Sequence, residues 1–172
     1  MVHLGLQSTA MTNFPGLGDI VIAYPERDDI VRLSHPLVWD FTKYCLSVKP
    51  ADDFAVPRDF EMPQLERWKD YIMFVDYVDD VDNFRYRYYG PGIAAVAGFD
   101  MTGKYVTEFD SEVGRFFVRA YRKCLSERIL IFSEHNRVHA RVDCRWQRLL
   151  CPVRDGDKKY AVALNVPVNI RE

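Results

Sequence analysis

An α+β domain organised round an antiparallel sheet is what the order of elements along this chain implies. Two strand-like runs come first, "YIMFVDYV" at 71–78 and "FRYRYY" at 84–89; a helical middle follows, and three strand-like stretches finish the chain. The acidic turn "DDVDN" joins the first two tightly enough for a hairpin, and Asp155-Gly156 marks another between the last two. Strands and helices do not alternate as βαβ units would.

Residues 1–33 carry glycines and prolines without a sustained period, so a loosely ordered arm is expected there, ahead of a single domain over 34–170. In "SHPLVWDFTKYCLSVK", Ser34 is the expected cap and Pro36 suits a first turn. Leu37, Phe41, Tyr44, Cys45 and Val48 fall on one face, which predicts a helix over 34–48. "PADDFAVPRDF" reads as a connector and "MPQLERW" as a short helix whose first turn accepts Pro63. After the strand pair, "GIAAVAG" gives a helical turn or two and "GFDMTGKYVTEF" is mostly loop. Thr107 and Asp110 are candidates for a capping box on the helix "DSEVGRFFVRAYRKCLSER". Its apolar stripe is Phe116, Phe117, Ala120, Tyr121 and Cys124, with Arg115, Arg119, Arg122 and Lys123 mostly on the solvent side. The closing strands are "ILIFSEHNRVH", "RVDCRWQRLLCPV" and "KYAVALNVPVNI". By strand alternation Val142, Cys144, Trp146 and Arg148 share one face, and Tyr160, Val162, Leu164, Val166 and Val168 share another.

At 172 residues the chain is long enough to bury its own core. A net charge of -2 carries none of the basic surplus that phosphate binding requires, so nucleic acid is not an expected partner. No apolar run approaches the roughly 20 residues that span a bilayer. The opening "MVHLGLQSTAMTNF" lacks the charged-then-apolar pattern of a signal peptide, so a cytoplasmic protein with no membrane partner is expected. Cys45, Cys124, Cys144 and Cys151 form no C-x-x-C pair and sit among apolar neighbours, which predicts buried free thiols.

Gly90-Pro91-Gly92-Ile93-Ala94-Ala95 matches G-x-G-x-x-A after a strand, the pattern of a dinucleotide-binding loop. The strand argues against that use. "FRYRYY" alternates and carries two arginines, whereas a nucleotide-binding strand lies buried on both faces. No second βαβ unit follows, so a tight strand-to-helix turn is expected instead.

The stretch "FRYRYYGPGIAAVAGFDMTGKYVTEF" resembles the motif f-R-Y-R-l-x-G-t-x-I…G-x-D-x-T-G-k-x-l of a bacterial PAS-domain family. That family occurs mainly in alphaproteobacteria, often as short stand-alone proteins. "VPRDFEMPQLERW" resembles its lead-in, and the likeness runs over 39–168, most specifically over 86–103. It implies a PAS-like fold: a five-stranded antiparallel sheet with helices over one face, here preceded by the N-terminal helix. The motif falls on Arg87, Gly90, Gly98, Asp100, Thr102 and Gly103, for which the family implies no catalysis. Their expected roles are turn-making and fixing the helical layer to the sheet. Pro91 stands where the family commonly has threonine or another small polar residue.

PAS domains carry haem, flavin or other chromophores, and the residues here disfavour the first two. "DCRWQ" superficially resembles the cysteine motif of flavin-binding members, but Cys144 falls in a late strand rather than on the helix that bears that cysteine. The long helix contains no histidine to ligate haem. His135 and His139 are four apart, but on a strand that spacing puts them about 13 Å from each other, and no third metal ligand is evident. Asp79, Asp80 and Asp82 lack the rest of a calcium loop, so a solvated turn is expected. No G-x-S-x-G or other catalytic constellation is present.

What remains is a cavity between sheet and helices, with Tyr86, Tyr88, Phe117, Tyr121, Cys144 and Trp146 as candidate lining for an unknown small apolar ligand. A filled core would have the same composition. The resulting expectation is a stand-alone sensory or adaptor domain in signal transduction, working through contacts with an unidentified signalling protein. Trp39, turned away from the main stripe of its helix, is the candidate contact of a homodimer. The rival classes are a small α+β enzyme acting on an apolar molecule and a structural interaction module without ligand.

Overall fold

The computed structural model describes residues 13–14, 18–27, 30–109, 111–138 and 143–171. A small ladder of β1 (Asn13–Phe14) and β2 (Gly18–Asp19) precedes β3 (Val21–Ala23). Then come α1 (Pro36–Val48) and the short α2 (Met62–Leu65). The hairpin of β4 (Ile72–Val78) and β5 (Asn83–Tyr89) leads into α3 (Pro91–Ala97) and α4 (Ser111–Glu127). The chain ends in β6 (Ile131–Val138), β7 (Asp143–Asp155) and β8 (Lys158–Arg171). β3 to β8 form one open antiparallel sheet in the order β3-β6-β7-β8-β4-β5.

The α+β class and all five expected strands are present, and two details differ from expectation. The sheet has a sixth strand, because Val21–Ala23 pairs with Phe132–Glu134 along the edge of β6. These three residues lie within the stretch expected to be a loosely ordered arm, too short to show a period. Glu26 ties that stretch down further: its carboxylate accepts from the buried Lys49 Nζ at 2.8 Å and from the Leu130 amide at 3.0 Å.

Helices also cover both faces of the sheet rather than one. α3 and α4 pack on the face bearing Met73, Val75, Phe84, Tyr86, Cys144 and Trp146. α1 and α2 pack on the face bearing Phe74, Phe132, Leu149, Cys151, Val162 and Leu164. The cause lies in the central strands. Ile72–Val75, Leu149–Val153 and Tyr160–Val166 are buried without interruption, and a strand buried on both sides needs cover on both.

α1 meets the sheet with Val38, Phe41, Thr42 and Cys45, a face rotated from the expected stripe so that Leu37 is only half-buried. Its cap is His35, whose Nδ1 accepts from the Leu37 amide at 3.1 Å. Ser34 donates its hydroxyl to the Val31 carbonyl instead. α4 keeps its expected stripe, with Phe116, Phe117, Tyr121 and Cys124 buried and Arg115, Arg119 and Arg122 exposed.

Candidate functional site

Register places three polar side chains in one row across the sheet. Ser133 of β6 pairs with Arg148 of β7, and Arg148 pairs with Asn165 of β8. Directly paired residues point to the same face, here the one covered by α4. All three are buried, Arg148 to 1% exposure. Ser133 Oγ, Asn165 Oδ1 and two Arg148 nitrogens, Nε and Nη2, have no hydrogen-bond partner within the described protein. Buried polar atoms are nearly always satisfied, so four orphans in one row mark a local exception.

Arg148 lies against aromatic rings: its guanidinium carbon is 4.4 Å from the Phe117 ring centre, 5.3 Å from Tyr121 and 5.6 Å from Phe116. These cation–π contacts offset part of the cost of burying the charge. Its one hydrogen bond among the described residues runs from Nη1 to the Tyr121 hydroxyl at 3.4 Å, and none of them forms an ion pair with it. The neighbouring acid, Glu134, is bonded to Arg145.

A cavity of about 30 Å³ opens over this row. Tyr86, Tyr89, Phe99, Phe109, Phe117 and Trp146 supply its walls, while Arg148, Asn165 and His135 supply the polar atoms. The Tyr86 and Tyr121 hydroxyls are 3.1 Å apart. With the Tyr121 oxygen accepting from Arg148, the Tyr121 proton can go to Tyr86 and leave the Tyr86 proton for the cavity. Burial, reinforced by Tyr121, pushes the Tyr86 phenol well above its ordinary range, so it is a neutral donor. His135 stands beside Trp146 on the next rung, with its ring 5.7 Å from Phe116 and 5.6 Å from Phe117. The site is therefore a small aromatic chamber whose floor carries a positive charge that no described residue neutralises.

Of the six residues expected to line a cavity, Tyr86, Phe117 and Trp146 do so. Tyr121 stands behind them, joined to both Tyr86 and Arg148. Cys144 shares the same core without touching the cavity, and burial pushes its thiol up to about 11. Tyr88 lies on the opposite face, donating its hydroxyl to the Lys69 carbonyl at 2.9 Å. A bulge is the reason: Phe74 pairs with Tyr88 and Val75 with Tyr86, so Arg87 is extra and the alternation reverses there. The sequence put Arg148 on the face of Cys144 and Trp146, where an arginine among inward-facing residues was the signal. Asn165 had a similar one, following Ala161 and Ala163 on a buried face.

The motif residues hold the frame around this chamber. Gly90 permits a close approach, since a Cβ there would sit 2.4 Å from the Asp70 carbonyl oxygen; its amide donates to Ile72 at 2.8 Å. Gly98 ends α3 at φ 84. Asp100 accepts from the Thr102 amide and hydroxyl at 2.9 and 2.7 Å, which lowers its carboxyl from the ordinary value. Gly103 donates to the Tyr86 carbonyl at 2.7 Å, tying this loop to β5. Arg87 lies between the Phe74 and Tyr160 rings, 4.9 Å from each, and pairs with Asp76 at 3.0 Å.

His139, Val142 and Asp110 fall outside the described residues, so the paired-histidine reading, part of the expected face and the Thr107 capping box go no further. No group of three or more metal-ligating side chains occurs among the described residues. The four cysteines are free and buried. No described helix is long and apolar enough to cross a membrane. Comparison with family models, curated proteins and solved structures finds no match for the chain.

Proposed function

We propose that the chain is a PAS-like sensory or adaptor domain of the cytoplasm that holds a small molecule between its sheet and α4 and signals through protein contacts. The observation that carries this reading is the aromatic chamber floored by Arg148 and Asn165, where Arg148 Nε and Nη2 and Asn165 Oδ1 lack a hydrogen-bond partner among the described residues. A core that served packing alone would gain by replacing them with apolar groups, because a buried charge without a partner is costly. The strand order supports the PAS-like reading to the extent that the five expected strands are contiguous and antiparallel. The sixth strand and the second helical layer are additions to that expectation.

The expected apolar ligand becomes one with a polar end, to suit the floor. α4 carries Phe117 against the chamber, Phe116 and Tyr121 against Arg148, and Arg115, Arg119 and Arg122 on its outer side, so it is the element through which occupancy reaches the surface. In the proposed homodimer a second copy meets α1 from the side of Trp39, since Val38, Phe41, Thr42 and Cys45 already face the sheet. Native mass spectrometry of the freshly purified protein tests both points. Non-covalent mass lost on denaturation, together with a two-protomer ion, is expected; a bare mass and a lone protomer would count against ligand and dimer respectively.

A further inference from the structure

We propose that the chamber is a receptor site for a small carboxylate of about the size of acetate, with Arg148 as its counter-ion. This rests on the small-molecule pocket proposed above and specifies what enters it. The guanidinium is 1% exposed and lines the cavity, and its Nε and Nη2 are unpartnered within the described protein. Those two nitrogens form one edge of the planar fork, the geometry that a carboxylate meets with two parallel hydrogen bonds. A neutral ligand would leave the charge uncompensated; a dianion would bring a second charge, and Arg148 is the one arginine or lysine among the described residues lining the cavity.

Size follows from the space. One water needs roughly 10–15 Å³, so a cavity of about 30 Å³ takes two or three heavy atoms without moving its walls, and the fourth heavy atom of acetate needs those walls to give slightly. Orientation follows from the floor. The Tyr86 hydroxyl and the Asn165 side-chain amide line the same cavity and offer further polar contacts to the carboxylate oxygens, while the aromatic walls enclose the rest.

The test follows, during titration with sodium acetate, the Arg148 Nε–H signal in ¹H–¹⁵N spectra, assigned by its loss in Arg148→Met, together with the Trp146 indole N–H and the Phe117 backbone amide at the cavity wall, which stay readable in every variant. Acetamide and sodium chloride at matched ionic strength are the neutral and inorganic controls. Acetate is expected to shift the signal saturably, with acetamide and chloride each at least about 10-fold weaker and Arg148→Met weakening acetate by about 10- to 150-fold. Arg148→Lys keeps the charge without the fork and is expected to fall between, which preserves the test should the methionine variant not fold. Acetamide binding as tightly as acetate, or full retention by both variants, overturns the carboxylate assignment and leaves the pocket standing. Chloride matching acetate reduces the site to an adventitious ion only and overturns it too. No response to acetate overturns it whatever the native mass shows; a bare native mass as well removes the pocket reading with it.

Discussion

Replacing Arg148 by methionine should leave the protein more stable, an inverted expectation for a side chain at 1% exposure in the middle of a sheet. Methionine keeps most of the apolar stem and removes the guanidinium. Two unsatisfied nitrogens disappear, each costing about 1–3 kcal/mol while buried. Against that stand the contacts with Phe116, Phe117 and Tyr121, about 0.5–2 kcal/mol. The long hydrogen bond to Tyr121 adds about 1 kcal/mol at most, and Tyr121 keeps its contact with Tyr86. At mid-range values, about 4 kcal/mol removed against about 2 kcal/mol lost leaves a gain of about 2 kcal/mol, in line with other replacements of buried charge by apolar groups. For a chain of this length that is a rise in Tm of about 4–8 °C. The assay is urea and thermal unfolding of both proteins after exhaustive dialysis against carboxylate-free buffer, so that a bound anion does not stabilise the wild type. A loss of 1 kcal/mol or more would refute the reasoning: the aromatic cage would then satisfy Arg148, and no ligand would be required to explain it.

Gly90→Ala should cost about 1–3 kcal/mol or more in urea unfolding, because the new Cβ meets the Asp70 carbonyl at 2.4 Å and backbone has to move. Gly98→Ala should cost about 1–2 kcal/mol for a different reason, a left-handed φ of 84 in open space; equal stability to wild type in either variant would contradict the assignment. The Asp100 carboxyl is lowered by the Thr102 amide and hydroxyl, so its contribution is present above the ordinary carboxylate pKa and lost as pH falls through the depressed folded value. Asp100→Ala should therefore flatten the acid limb of Tm against pH, and an unchanged limb would exclude the turn as its source. All four thiols are buried, and burial raises Cys45, Cys124 and Cys144, so a thiol reagent at neutral pH should label none until the protein unfolds. Rapid labelling in the folded state would refute that burial.

The elements with strong local chemistry were legible in the sequence. The hairpin over Asp79–Val81, the turn at Asp155-Gly156 and the stripe of α4 all follow from nearby residues, and each is present. Features set by tertiary contact were not. Val21–Ala23 is too short for a pattern, and its place is decided by the free edge of β6. The bulge at Arg87 depends on pairing with β4 and reverses Tyr88 without any local signal such as glycine. The second helical layer was half visible: "YIMFV", ahead of Asp76, is a continuous apolar run, which implies cover on both faces. As for the site, alternation put Arg148 beside Trp146, but only register across three strands aligns it with Ser133 and Asn165. That alignment turns one inward arginine into a polar floor.

The most direct test of the chamber is a high-resolution crystal structure of protein taken straight from cells, read at Arg148. Density for a small planar group bonded to Nε and Nη2, at about 2.7–2.9 Å, is the result the account predicts. A guanidinium bonded only to protein groups, with the chamber closed over by its own aromatic rings, would contradict it.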